Sequence, residues 1–196
     1  VAAMVRAARP GSAVEAVQAP QSLFLDERAL HAPSLDLLRS RTWVAVVLQA
    51  QKYSSSGTVI YPTDGAEALI REARRAQALP VMFPEWPRRG IPETRDIHDL
   101  HVAIAMKEPA CVAPVGYAWD LAAARHPQLV LHASDGNHAL APGTFLAALV
   151  IAATITTASP AAWPHLPEIT TVDAPTQALL RAVAADTVAA HSPRQW

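Results

Sequence analysis

An aspartate three residues ahead of a histidine, Asp135 and His138 in the stretch SDGNHALAPGTFLAALV (Ser134–Val150), is the pairing in this chain whose residue types point most directly to chemistry. A histidine that takes a proton from a hydroxyl needs its ring fixed by a second group. A carboxylate three residues earlier, on a loop entering a helix, can reach its Nδ1. The same spacing also serves a plainer purpose, in which the aspartate caps a turn through DGNH and the histidine decorates the surface. On spacing alone both uses stay open.

Other candidates are weaker. Gln49 and Gln51 stand at the end of an apolar run, where a side-chain amide most simply bonds a loop. Ser54, Ser55 and Ser56 form a triplet in the following loop, and Ser22 stands alone; each offers a hydroxyl, though such a triplet is a common flexible turn. His98 and His101 could face one way on a helix and share a metal ion, but no third ligand stands in register with them. The lone Cys111, in PACVAPVG, has apolar neighbours and reads as a buried structural residue with no intrachain disulfide partner.

Composition bounds these readings. The chain has 196 residues, of which 51% are hydrophobic and 17% charged, which suits one folded α/β domain over residues 1–196 and argues against disorder. Basic and acidic residues nearly cancel, 16 against 17, and no basic stripe suggests nucleic acid. The longest uncharged apolar run, TFLAALVIAATITTA, is about 15 residues, short of the roughly 20 that span a bilayer, so a buried helix is expected there. The chain opens on Val1 in what reads as the body of a helix, which raises the expectation that a segment precedes it.

Several elements must position these residues. A helix is expected over residues 1–9, a short strand over Ser12–Ala19, and a helix from about Pro33. Thr42–Gln49, TWVAVVLQ, reads as a central strand buried on both faces. A helix beginning at Thr63 or Asp64, a strand at Leu79–Trp86, and a helix over Thr94–Lys107 follow. A strand end in ACVAPVG, a short helix in YAWDLAAARH, a last strand in Leu129–Ala133, and a helix in PTQALLRAVAADTVAA complete the order. Alternating strands and helices imply parallel pairing with helices on both faces, and chemistry beyond the carboxyl ends of the strands. The loops LQAQKYSSSG, PEWPRRG and SDGNH should then converge.

The block LVLHASDGNHALAPGTFLAALV is similar, in order and content, to the last block of the SGNH hydrolases, also called GDSL esterases and lipases. There a strand ends in Asp-x-x-His and is followed by a proline, a glycine and a small-residue helix, matched here by Asp135, His138, Pro142 and Gly143. VAPVGYAWDLA and WVAVVLQAQ resemble the preceding segments of a bacterial branch, so the likeness spans roughly Arg41 to Ile155. It implies a three-layer α/β sandwich with a central parallel sheet, a flavodoxin-like fold. It also implies an ester hydrolase, acting on short acyl or carbohydrate esters, with His138 as base, Asp135 as orienting acid and no cofactor. Gln49 or Gln51 would take the place of the usual asparagine oxyanion donor. Two features depart from the family. Its nucleophile lies in a Gly-Asp-Ser or Gly-Asn-Ser motif on the first strand, which none of these residues matches, so that strand is expected to be missing. The glycine amide of its second block falls near Pro20, which has no N–H. A non-catalytic binding or structural module on the same scaffold is therefore the alternative expectation.

Overall fold

The computed structural model describes residues 1–193. In chain order these form α1 (Ala2–Ala8), α2 (Leu25–Arg28), α3 (Ala32–Arg39), β1 (Ala45–Gln49), α4 (Asp64–Arg75), β2 (Leu79–Phe83), α5 (Thr94–Lys107), β3 (Cys111–Val112), α6 (Val115–Arg125), α7 (Ala141–Thr156), a 3₁₀ turn (Pro160–Ala162) and α8 (Ala174–Ala190). The protein is thus mixed α/β, dominated by helix, with a small parallel sheet. Its contacts gather into two compact units. The first comprises Val1–Ala16, Trp86–Thr94 and Pro114–Pro193; the second comprises Val17–Glu85 and Arg95–Ala113 among the described residues.

The second unit holds the sheet, in the order β1-β2-β3 with both pairs parallel. β2 is the middle strand, and Val81 and Met82 are fully buried, as a strand covered on both faces requires. The expectation that Thr42–Gln49 would be the buried centre is corrected here. β1 lies at an edge of the sheet; Leu48 is buried but Val47 is exposed. A continuous apolar run cannot by itself separate a central strand from an edge strand. α4 forms because Ala66, Leu69, Ile70 and Ala73 recur at helical spacing and all turn inward, while Arg71, Glu72, Arg74 and Arg75 are left outside the core. Its start is held by Thr63 Oγ1, which donates to Glu67 Oε1 at 2.6 Å, and Lys107 Nζ reaches the same oxygen at 2.8 Å. Gly65 lets α2 pass close by, since a Cβ there would sit 2.5 Å from the Asp26 Cα.

The first unit is helical. α7 carries no charge and is buried along almost its whole length, packing against α1, α6 and α8. At 16 residues it is about 24 Å long, and among the described residues no helix is long and apolar enough to cross a membrane. α8 starts at Asp173, whose side chain accepts the Thr176 N–H at 2.8 Å. Gln177 on α8 is fully buried and satisfied: its amide nitrogen donates to the carbonyls of Leu166, Ile169 and Val172, and its oxygen accepts the Leu166 N–H.

Two expected strands are absent. Ser12–Ala19 is irregular and finds no strand partner; Glu15, Ala16 and Val17 are exposed, and the chain passes there from the first unit to the second. Leu129–Ala133 also joins no sheet. Val130 is exposed, and the ladder contact in this segment is an antiparallel bridge between His132 and Ala139 on its own return. An apolar run of this length is satisfied by a local turn as readily as by a ladder.

Candidate functional site

The segment between α6 and α7 doubles back on itself. Leu140 donates its N–H to the Leu131 carbonyl at 2.8 Å and Ala133 donates to the His138 carbonyl at 2.7 Å, so Ser134–Asn137 become the tip of a tight loop. Gly136 has φ +73°, a conformation glycine adopts without steric cost, which explains the residue at that point.

Within this loop Asp135 uses both oxygens. Oδ1 accepts the backbone N–H of Asn137 at 2.9 Å and of His138 at 3.0 Å, and Oδ2 meets His138 Nδ1 at 2.6 Å. The two contacts the spacing allows, one to the turn backbone and one to the histidine ring, are therefore both made, one on each oxygen. The bond from His138, and then the two backbone N–H groups, hold the Asp135 carboxyl well below the usual carboxylate range. An ionised carboxylate only accepts, so Nδ1 carries the proton of this bond and Nε2 becomes the basic nitrogen. The pair sits at the surface, with 78% of the His138 side chain and 48% of the Asp135 side chain exposed.

The segment Trp86–Thr94 backs the loop. Trp86 Nε1 donates to the Asn137 carbonyl at 2.8 Å, and its ring stacks on Trp119 of α6 with centroids 4.6 Å apart. His132 meets the Trp119 ring edge-on and donates Nε2–H to the Pro87 carbonyl at 2.8 Å. Arg89 donates from its guanidinium to the carbonyls of His132 at 2.9 Å and Ala133 at 2.7 Å, and from its backbone N–H to Gly136 at 2.8 Å. Glu93, almost wholly buried, accepts the Arg88 backbone N–H at 2.8 Å and its guanidinium at 3.2 Å. Gly143, in the first turn of α7, lies where a Cβ would come within 2.5 Å of the Trp119 ring and 2.7 Å of the Leu131 oxygen. None of Trp86, Arg89, Glu93, Trp119 and His132 was identified from the sequence as serving Asp135 and His138. The loop PEWPRRG was expected beside SDGNH, a signal that points to Trp86 and Arg89 but not to Glu93, Trp119 or His132.

The other sequence candidates lie in the second unit. Gln49 Nε2 donates to Glu85 Oε1 at 3.0 Å. Gln51 is buried, and its amide nitrogen donates to the carbonyls of Lys52 at 3.0 Å and Pro62 at 3.2 Å, which engages both hydrogens. Ser54, Ser56 and Thr58 bond to one another in an exposed turn. His98 and His101 share α5, but His101 is buried and donates Nδ1–H to the Ile97 carbonyl at 2.7 Å. Among the described residues no group of three or more His, Cys, Asp or Glu side chains could hold a metal ion. An open cleft of about 550 Å³ in this unit is lined by Val44, Arg74, Leu79 and Cys111, at the amino ends of the strands and so at the opposite end of β1 from Gln49. Its lining brings together no nucleophile and base.

No family model matches the chain, and no curated protein and no solved structure matches it either.

Proposed function

We propose that this chain is an ester hydrolase domain of the SGNH type, a three-layer α/β sandwich in which His138 is the general base and Asp135 its orienting acid. The observation that carries the reading is the 2.6 Å contact between Asp135 Oδ2 and His138 Nδ1. It fixes the ring, selects the tautomer that leaves Nε2 basic, and places a negative charge where imidazolium would form. The exposure of the pair suits a substrate arriving from solvent. In the reaction Nε2 removes a serine hydroxyl proton as the oxygen attacks the ester carbonyl and returns it to the departing alcohol; water, deprotonated by Nε2 in turn, then attacks the acyl-serine, and the proton goes back to the serine oxygen as the carboxylic acid leaves. Short acyl esters, including acyl groups on carbohydrate, are the substrate class implied by the resemblance.

A second reading, a non-catalytic binding or structural module on this scaffold, draws on three particulars. The 196 residues contain no Gly-Asp-Ser or Gly-Asn-Ser. The Gln51 amide is engaged within its own loop. Pro20 offers no backbone donor.

The two readings separate in one experiment. The chain as written should hydrolyse p-nitrophenyl acetate hardly faster than free imidazole does. Joined behind an added strand ending in Gly-Asp-Ser, it should gain roughly three orders of magnitude or more, and His138→Ala should abolish that gain. No gain in the extended protein favours the binding module. Strong labelling of the unextended chain by a serine-directed inhibitor, mapped to Ser54, Ser55 or Ser56, would assign the nucleophile to that loop instead.

A further inference from the structure

Asp135 and His138 stand on an exposed loop, and a surface aspartate–histidine pair is ordinarily a loose one, because two flexible side chains lose entropy to meet and solvent competes for both. What distinguishes this loop is how its backbone is held. Four of its carbonyl oxygens, those of His132, Ala133, Gly136 and Asn137, each accept a hydrogen bond from the segment Trp86–Arg89. Three of these four bonds come from Arg89. Its guanidinium takes the two carbonyls just before Ser134 and its backbone N–H takes the one just after Asp135, so its grip brackets the aspartate on both sides. Both guanidinium bonds come from one nitrogen, Nη2, whose two N–H groups are fixed in the guanidinium plane and so reach the neighbouring oxygens at once.

Arg89 is itself held in place. Glu93 is buried with its carboxylate turned onto the neighbouring Arg88, bonding both that residue's backbone N–H and its side chain. A buried carboxylate without such partners would be strongly disfavoured, so the Arg88–Glu93 turn is fixed by its own electrostatics. The support thus runs from Glu93 through the turn to Arg89, and from Arg89 to the loop backbone. All of these residues lie in the first unit.

We propose that Arg89 is a positioning residue for the Asp135–His138 pair, clamping the His132–Gly136 backbone in the one conformation that aims the Asp135 carboxylate at Nδ1. This rests on the reading of that pair as acid and base. The hydrogen bonds of Arg89 go to the loop backbone; its role is not proton transfer but setting how much of the time the pair is made.

The test reads the imidazole directly. In the full ¹⁵N-labelled chain, long-range ¹H–¹⁵N correlation spectra at neutral pH should show His138 protonated on Nδ1. Asp135→Asn marks the spectrum of a ring that has lost its carboxylate. Arg89→Met keeps much of the side chain's bulk and removes the two guanidinium bonds. It should shift His138 toward a mixture containing the Nε2-protonated form and speed amide exchange at Asn137 and His138 by about tenfold, with far-ultraviolet circular dichroism unchanged. Arg89→Lys, which offers a point donor in place of a fork, should fall between wild type and Arg89→Met, and it decides the matter should Arg89→Met fail to fold. A wild-type tautomer and exchange rate in Arg89→Met, or in Arg89→Lys if that variant alone folds, would overturn the proposal, as would a wild-type His138 protonated on Nε2. These readouts need no turnover. A serine-extended protein that stays inactive while Arg89→Met still loosens the imidazole therefore defeats the hydrolase reading and leaves the clamp intact.

Discussion

Two histidines in this molecule are fixed by opposite means. His101, on α5 in the second unit, is held by burial: it is 2% exposed, its Nδ1–H is spent on the Ile97 carbonyl, and its Nε2 finds no hydrogen-bond partner among the described residues. Burial first, and the nearby His98 to a smaller degree, push its pKa down to about 4, against the bond to Ile97, which acts the other way. His138, in the first unit, is largely exposed and is held by a carboxylate. A ring kept neutral by its surroundings cannot accept a proton at physiological pH, whereas a ring beside an ionised carboxylate is prepared to become imidazolium. Burial and precise placement are separable: His101 has the first, and His138 has the second beside a charge.

The largest effect that can break this contrast is the acid response of His101. Its folded value near 4 lies below the ordinary 6.5, so above pH 6.5 the ring is neutral in both states and its contribution to stability is complete. Between 6.5 and 4 the unfolded chain binds a proton that the folded chain refuses, and stability falls by about 3 kcal/mol over that window. His101→Leu replaces the ring with an apolar side chain and removes the unsatisfied Nε2. Urea midpoints measured from pH 7 to pH 4 should therefore decline less steeply in this variant than in the wild type. Parallel declines would show that His101 is not sealed from solvent.

A smaller effect sharpens the other side. Gly143→Ala puts a methyl group against the Trp119 ring and the Leu131 carbonyl, and an indole and a backbone oxygen have little room to yield. The expected cost is about 1–3 kcal/mol in urea unfolding. Because Leu131 and Trp119 lie beneath the loop that carries Asp135, the methyl group should also weaken the His138 Nδ1–H signal without touching either partner. A destabilised protein with an intact signal would show that the clamp from Arg89 suffices alone.

Much of this could be read from local pattern, and the reason is distance along the chain. Asp135 and His138 are three apart, so a single turn through Gly136 brings them together, and their contact is nearly implied by the residue types. α4 and α5 follow from apolar spacing within a dozen residues, and the bounds expected for α5 are those it has. What was not legible depends on residues remote in sequence. Trp86 and Asn137 are 51 positions apart, and nothing in PEWPRRG announces that its tryptophan and second arginine grip the backbone of another loop. β1 was misplaced for the same reason, since whether an apolar strand is central depends on what lies beside it. Leu129–Ala133 looked like a strand because valine and leucine favour one, yet its partner proved to be its own continuation across the Gly136 turn.

The smallest expected change in stability carries the finest distinction, because it separates the two uses of Asp135. Asp135→Asn keeps an oxygen able to accept the N–H groups of Asn137 and His138, so the turn cap survives, while the charge facing Nδ1 is lost. Asp135→Ala removes both. At neutral pH Asp135→Asn should lower the melting temperature only slightly and yet abolish the Nδ1–H bond of His138, whereas Asp135→Ala should lower the melting temperature further and abolish the bond as well. The sign with pH is fixed by the depressed carboxyl of Asp135: its contribution is present above the ordinary value of 3.8 and is lost as pH falls toward its lower folded value. The gap in stability between wild type and Asp135→Asn, small at pH 7, should therefore close further in strong acid. If Asp135→Asn instead destabilises as much as Asp135→Ala, and His138 keeps its Nδ1 proton in both, then the carboxylate serves the turn alone and His138 is no base.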